Sequence, residues 1–122
     1  MKNTGTDAAW DDQARLLRVM AHPVRLIILS ALCERPQCVG DLNSLVPIVQ
    51  AHLSQHMAAL RKAGLVDCHI CGPLRCYYII RPRFVKKLLR LLCEDYPPRL
   101  RSREAVVRAA RQAHKSQTDA HD

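Results

Sequence analysis

Aromatic residues are scarce. One Trp, one Phe and three Tyr make up 4% of the chain, so a core must be assembled from Leu, Ile, Val and Ala, as in helical proteins. Long apolar runs are missing too, and none approaches the ~20 residues that cross a bilayer. The opening stretch, Met1 to Asp7, lacks the apolar segment of a secretory signal, which leads us to expect a cytosolic protein. Acidic residues are in the minority, with 11 Asp and Glu against 19 Lys and Arg. The formal charge of +8 suggests a polyanionic partner, nucleic acid or an acidic membrane surface, unless it serves solubility alone. There is no internal repeat and no low-complexity block. A chain of 122 residues, 48% of them hydrophobic, holds one folded domain rather than two.

Cysteine, by contrast, is plentiful. Six cysteines exceed what packing requires, and a reducing cytosol argues against a structural disulfide framework. The remaining roles are core residue, metal ligand and reactive thiol.

Apolar spacing and breakers divide the chain. Residues 1–6 read as a flexible tail. Asp7 can cap a first helix in which Trp10, Ala14, Leu17 and Ala21 recur at helical spacing, and His22-Pro23 ends it. Pro23 suits the first turn of a second helix reaching about Cys33, apolar nearly all round and so expected to be buried. A short helix from Val39 to Leu45 and the break at Val46-Pro47 precede a helix from Gln50 to about Ala63, closed by Gly64. Its inward stripe is Leu53, Met57 and Leu60. Leu65 to Cys71 and Cys76 to Ile80 read as strands around a Gly72-Pro73-Leu74-Arg75 loop. A helix starting near Arg83 carries Val85, Leu88, Leu89 and Leu92, widened by Phe84 and Leu91, and Pro97-Pro98 ends it. A basic helix from Ser102 to about Lys115 follows, with disorder beyond. The expected domain is thus 7–96, with a basic extension over 97–122.

The order helix, helix, helix–turn–helix, hairpin, helix can stand a polar-faced helix in the major groove of DNA, with the hairpin beside it. The stretches Ala21-His22-Pro23-Val24-Arg25-Leu26-Ile27-Ile28-Leu29, Cys38-Val39-Gly40-Asp41-Leu42, His52 to Val66 and Cys76-Tyr77-Tyr78 resemble, in order and spacing, the ArsR/SmtB-type winged-helix repressors of bacteria. The fold class expected is therefore mainly α with a β-hairpin, a winged helix-turn-helix dimerising through its terminal helices. The resemblance implies a cytoplasmic, nucleoid-associated homodimer that binds double-stranded operator DNA and leaves it when an inducer binds. The wide apolar face of the 83–95 helix agrees, since one small domain can hardly cover it. Gln50, His52, Ser54, Gln55 and His56 are the expected base-reading or phosphate-binding set, Arg61 and Lys62 the phosphate contacts, and Arg75 the wing contact. Val49 stands where the family often has a capping Ser, a loss of about 1 kcal/mol.

In such relatives the inducers are commonly metal ions, arsenite or oxidised sulfur species. Cys38 matches the first cysteine of the arsenite-responsive pattern Cys-Val-Cys-Asp-Leu-Cys, but Gly40 and Asn43 occupy the other positions, and one soft ligand does not hold arsenite or zinc. Cys33 and Cys93 resemble the helix-to-helix pair of persulfide- and oxidant-responsive members, except that the first cysteine there sits where this chain has Ser30. On the hairpin, a Gly72–Arg75 loop sets Cys71 opposite Cys76 with Cβ atoms about 5 Å apart. His69 lies on their side, a possible metal set, and Cys68 points the other way. No cofactor is expected apart from an inducer such as arsenite or a zinc-like ion, and no membrane partner. A thiol oxidoreductase built on Cys68-x-x-Cys71 fails because that motif normally opens a helix. A nonspecific basic, chromatin-like DNA binder is the alternative: 11 of the 19 Lys and Arg lie between Arg81 and Lys115.

Overall fold

Pro23 and Pro82 each stand in the first turn of a helix, where the missing N–H costs nothing and the fixed φ suits the helical turn. The computed structural model describes the backbone of residues 7–121 and the side chains of 8–115; the tail expected over 1–6 lies outside the described residues. The elements are α1 (Asp7–Met20), α2 (Pro23–Glu34), β1 (Gln37–Cys38), α3 (Val39–Leu45), α4 (Gln50–Lys62), β2 (Val66–Cys71), β3 (Leu74–Ile79), α5 (Pro82–Cys93) and α6 (Arg103–His121). Six helices and a three-stranded antiparallel sheet make a winged helix-turn-helix.

Local chemistry sets the boundaries. His22 caps α2, its Nδ1 accepting from the Val24 N–H at 3.1 Å. α4 closes in a Schellman arrangement: Leu65 N–H reaches the Leu60 carbonyl at 3.1 Å and Gly64 N–H the Arg61 carbonyl at 3.0 Å. Gly64 supplies the positive φ of 76° that this closure needs. Ser102 caps α6 through an Oγ that accepts from Ala105 N–H at 3.2 Å, and that helix continues to His121, past its expected end at Lys115.

The core gathers Ile28, Leu29 and Leu32 of α2, Leu42 of α3, Leu53, Met57 and Leu60 of α4, Val66 and Ile79 of the sheet, and Val85 of α5. Burying each contributes about 1.5–3 kcal/mol. α1 turns Leu16, Val19 and Met20 inward, leaving Trp10 and Leu17 of the foreseen stripe 55% and 53% exposed, a second apolar face turned away from the core. α2 is not buried all round, because Ile27 lies on its outer side, 45% exposed. α5 repeats the pattern. Val85 is buried and Leu88 and Leu89 half-buried, whereas Phe84, Leu91 and Leu92 face outward.

The sheet order is β1-β3-β2. β1 was not foreseen. It pairs Gln37 with Tyr77 and Cys38 with Cys76, and the buried Gln37 side chain donates to the Ala31 carbonyl at 2.9 Å, fastening the strand to α2. β2 and β3 pair from Val66↔Ile79 to His69↔Cys76, Ile70↔Arg75 and Cys71↔Leu74. The turn is thus Gly72-Pro73 alone, with Gly72 at φ 60°, the pattern of a type II′ turn. The four-residue loop is corrected to two, and Cys71 does not face Cys76. Among the described residues no single helix is long and apolar enough to cross a membrane.

Candidate nucleic-acid interface

α3 is anchored by Leu42 and the turn after it by Val46, both buried. The chain then enters α4 from Val49, which offers no side-chain cap; its carbonyl accepts from His52 and Leu53 N–H at 3.0 and 3.1 Å. With Leu53, Met57 and Leu60 fully turned into the core, helical geometry forces the residues between them outward. Gln50, His52, Ser54 and Gln55 are accordingly exposed, as are Arg61 and Lys62 at the far end of the helix.

The wing stands beside this face. A cleft of about 470 Å³ is bordered by Gln50 and Ser54 of α4, Asn43 of α3, Cys38 at the start of α3, and Arg75 and Tyr77 of β3. On the other flank of Ser54 and Arg75 a second hollow, about 360 Å³, is bordered by Ala58, Arg61 and Lys62. Gln50, Ser54, Arg61, Lys62 and Arg75 therefore share one polar, cationic surface. Asn43 belongs to it as well: its Oδ1 is buried and has no hydrogen-bond partner. Sequence reasoning had noted Asn43 only as a missing cysteine.

Two members of the expected set are engaged within the protein. His56 is half-buried rather than free on the outer face. Its Nδ1 accepts from Arg25 Nε at 3.1 Å, and its ring lies against His22, centroids 4.6 Å apart. Burial first, then the positive charges of His22, Arg25 and His52, hold its pKa below the ordinary histidine value. Arg61 is ion-paired with Asp67 at 2.9 Å. The Cys68 backbone N–H above all holds Asp67 below the usual carboxylate range; desolvation opposes it, and the Arg61 guanidinium adds to the lowering.

All six cysteines are free thiols. Cys33 is half-buried, and burial pushes its thiol up while Lys86 of α5 pulls the other way. Cys93 lies further along α5 than Lys86 by about 10 Å of helix axis and is exposed. On the sheet, Cys68 packs against the core. Cys71 is exposed opposite Leu74, and Cys76 stands between His69 and Cys38. Among the described residues no three His, Cys, Asp or Glu side chains are grouped to hold a metal ion, so the expected set Cys71, Cys76 and His69 is not assembled. The register bears on this: the shorter turn sets Cys76 opposite His69 rather than Cys71, which lies two pairs further along, opposite Leu74.

Comparison with known proteins agrees with this geometry. The family model for bacterial regulatory protein, arsR family, matches residues 22–67, from the cap of α2 to the start of the wing. The transcriptional activator HlyU of Vibrio cholerae is 38% identical over 81 residues, spanning 66% of this chain and 74% of HlyU. A solved structure of HlyU superposes with a TM-score of 0.65 at 32% identity, covering 73% of this chain and 100% of that one. The transcriptional repressor BigR of Xylella fastidiosa gives a TM-score of 0.62 at 28% identity over 73% of this chain and 94% of BigR. The homodimeric winged helix-turn-helix DNA-binding domain of Mb0332 from Mycobacterium bovis gives 0.63 at 26% identity over 75% and 86%. With its fold, its exposed recognition helix and these relatives in agreement, the chain belongs to the ArsR family of bacterial DNA-binding transcriptional regulators.

Proposed function

We propose that the protein is a cytoplasmic, homodimeric repressor that holds a near-palindromic operator and releases it when its thiols are modified. The observation that carries this reading is the division of α4: one side is sealed in the core, and the other offers Gln50 and Ser54 beside Arg75 of the wing, with Gln55 exposed next to them on the helix. Two such helices, related by a twofold axis, meet successive major grooves about 34 Å apart. The uncovered apolar residues Trp10, Leu17, Phe84, Leu91 and Leu92 on α1 and α5 support a partner subunit there. Gln50, Ser54 and Gln55 read bases, Arg75, Lys62 and Arg61 position the phosphates, and His52 joins them at the start of α4. Six free thiols support sensing by arsenite, persulfide or oxidant.

Footprinting on the chain's own upstream DNA, with and without thiol-directed reagents, tests this reading. A protected two-half-site segment that reopens on treatment is expected. The concentration of cations on α5 and α6 favours a second reading, in which the chain coats DNA without sequence preference; equal affinity for random duplex would establish it.

A further inference from the structure

We propose that Cys38 and Cys76 are a preorganised dithiol that closes to a disulfide across the β1–β3 pair under two-electron oxidants; its effect on DNA rests on the operator-binding function proposed above. The hydrogen-bond ladder carries the argument. Ile80 N–H donates to the Leu65 carbonyl at 2.9 Å, which makes Leu65 and Ile80 a hydrogen-bonded pair one step outside Val66↔Ile79. Antiparallel pairs alternate, so His69↔Cys76 is hydrogen-bonded as well, and Cys76 spends its N–H and C=O on β2. Toward β1 it therefore meets Cys38 in a non-hydrogen-bonded pair, where Cα atoms are about 4.5 Å apart. That separation falls within the span of about 4.4–6.8 Å that a disulfide accepts. Residues paired in register share a face, so the two side chains lie on one side of the sheet.

The other cysteines are placed less well for this bond. Cys68 is in the next row, with Tyr77 and Gln37, on the core side. Cys71 shares the outer face but sits diagonally to Cys76, at about 7–8 Å. Both thiols of the proposed pair are partly exposed, and β1 is held from both sides, by β3 and by the Gln37 bond to Ala31. The site also adjoins the DNA-facing cleft. Cys38 borders it and leads directly into α3, while Cys76 follows Arg75. Closing the bond ties the start of α3 to the wing strand.

With a hydroperoxide, one thiolate attacks the outer oxygen, the O–O bond breaks, and a sulfenic acid and an alcohol (or water) result. The second thiol attacks that sulfur, the S–O bond breaks, and water leaves. Two thiols lose two electrons, and the hydroperoxide takes them.

The test treats the reduced, full-length protein with hydrogen peroxide, caps remaining thiols, and maps linked peptides by non-reducing digestion and mass spectrometry. DNA affinity is measured in parallel before and after dithiothreitol. The expected result is a Cys38–Cys76 peptide and a reversible loss of affinity of about tenfold or more, within the usual range for coupled sites. Cys38→Ser and Cys76→Ser abolish the linked peptide, and Cys76→Ser abolishes the peroxide response. A Cys71→Ser, Cys93→Ser double variant retains the link. Links between other cysteines, or oxidation without any link, overturn the dithiol. A Cys38–Cys76 link that leaves affinity unchanged overturns its regulatory role alone. Absence of DNA binding by the reduced protein overturns the operator function while leaving the link intact.

Discussion

Arg25 and His56 are joined across 3.1 Å, Nε to Nδ1, and the same guanidinium donates to the Val19 carbonyl at 2.9 Å. One cation thereby fastens the end of α1, the start of α2 and the recognition helix. It does so only while His56 keeps the lone pair on Nδ1, that is, while the ring is neutral.

This gives a pH dependence with a defined sign. The folded-state pKa of His56 is lowered, so between that value and about 6.5 the unfolded chain binds more protons than the folded one. The stabilisation is complete above about pH 6.5 and is lost as pH falls through that window. Urea midpoints followed from neutral to mildly acidic pH should decline in the parent protein and decline less in His56→Gln. Asp67, whose pKa is also lowered, acts in the lower carboxylate window and does not mimic this slope. Equal slopes in parent and variant would show that His56 is not the titrating group.

Gln55 and His56 should separate in their effects. Gln55→Ala removes an exposed side chain, so melting should be unchanged while operator affinity falls by about 1–3 kcal/mol, the worth of a lost base contact. His56→Ala removes the acceptor of Arg25 and should lower the melting temperature as well. Matching thermal melts for the two variants would contradict the placement of His56 against α2.

Asp67 holds Arg61, one of the cations proposed to meet the phosphates. In Asp67→Asn the Arg61 guanidinium loses its ionic partner at 2.9 Å, and a negative charge leaves the surface. DNA binding should tighten, and its dependence on salt should steepen by roughly one counterion. Arg75→Ala should move both quantities the other way. A salt titration by fluorescence anisotropy measures each, and an unchanged slope in Asp67→Asn would show that Arg61 does not reach the backbone.

The outer face of α5 is the surface to disrupt for oligomeric state. Leu91→Glu with Leu92→Glu places charge where side chains are already exposed, Leu92 by 60%, so the subunit should remain folded. Light scattering should report a single-subunit mass, with operator affinity lost because the two half-sites are no longer bound together. A dimer that survives both charges would put the interface elsewhere.

Much of this was legible in sequence, for identifiable reasons. α3 and α4 fell where breakers and spacing put them, since Pro47 and Gly64 act locally and Leu53, Met57 and Leu60 repeat at 3.6 residues. The stripe of Trp10 and Leu17 was legible as a helix face, but periodicity does not say whether such a face meets the chain's own core or another surface. β1 went unseen because Gln37-Cys38 is too short to alternate, and its existence depends on β3 and on a bond to Ala31. The wing cysteines were mispaired through the turn. Moving from a four-residue to a two-residue turn keeps every side chain on its face, so Cys71, Cys76 and His69 stayed together on one side while their partners changed.

A hairpin closed by Gly72 and Pro73 alone has little slack. Its backbone choices are nearly spent before any duplex arrives, so presenting Arg75 to a phosphate requires little further loss of chain entropy. The arm then behaves as a stiff finger rather than a whip: it fits a groove of the right width or stands clear of it. If Arg75 meets DNA as proposed, that stiffness favours discrimination by duplex shape, at base pairs the protein never touches.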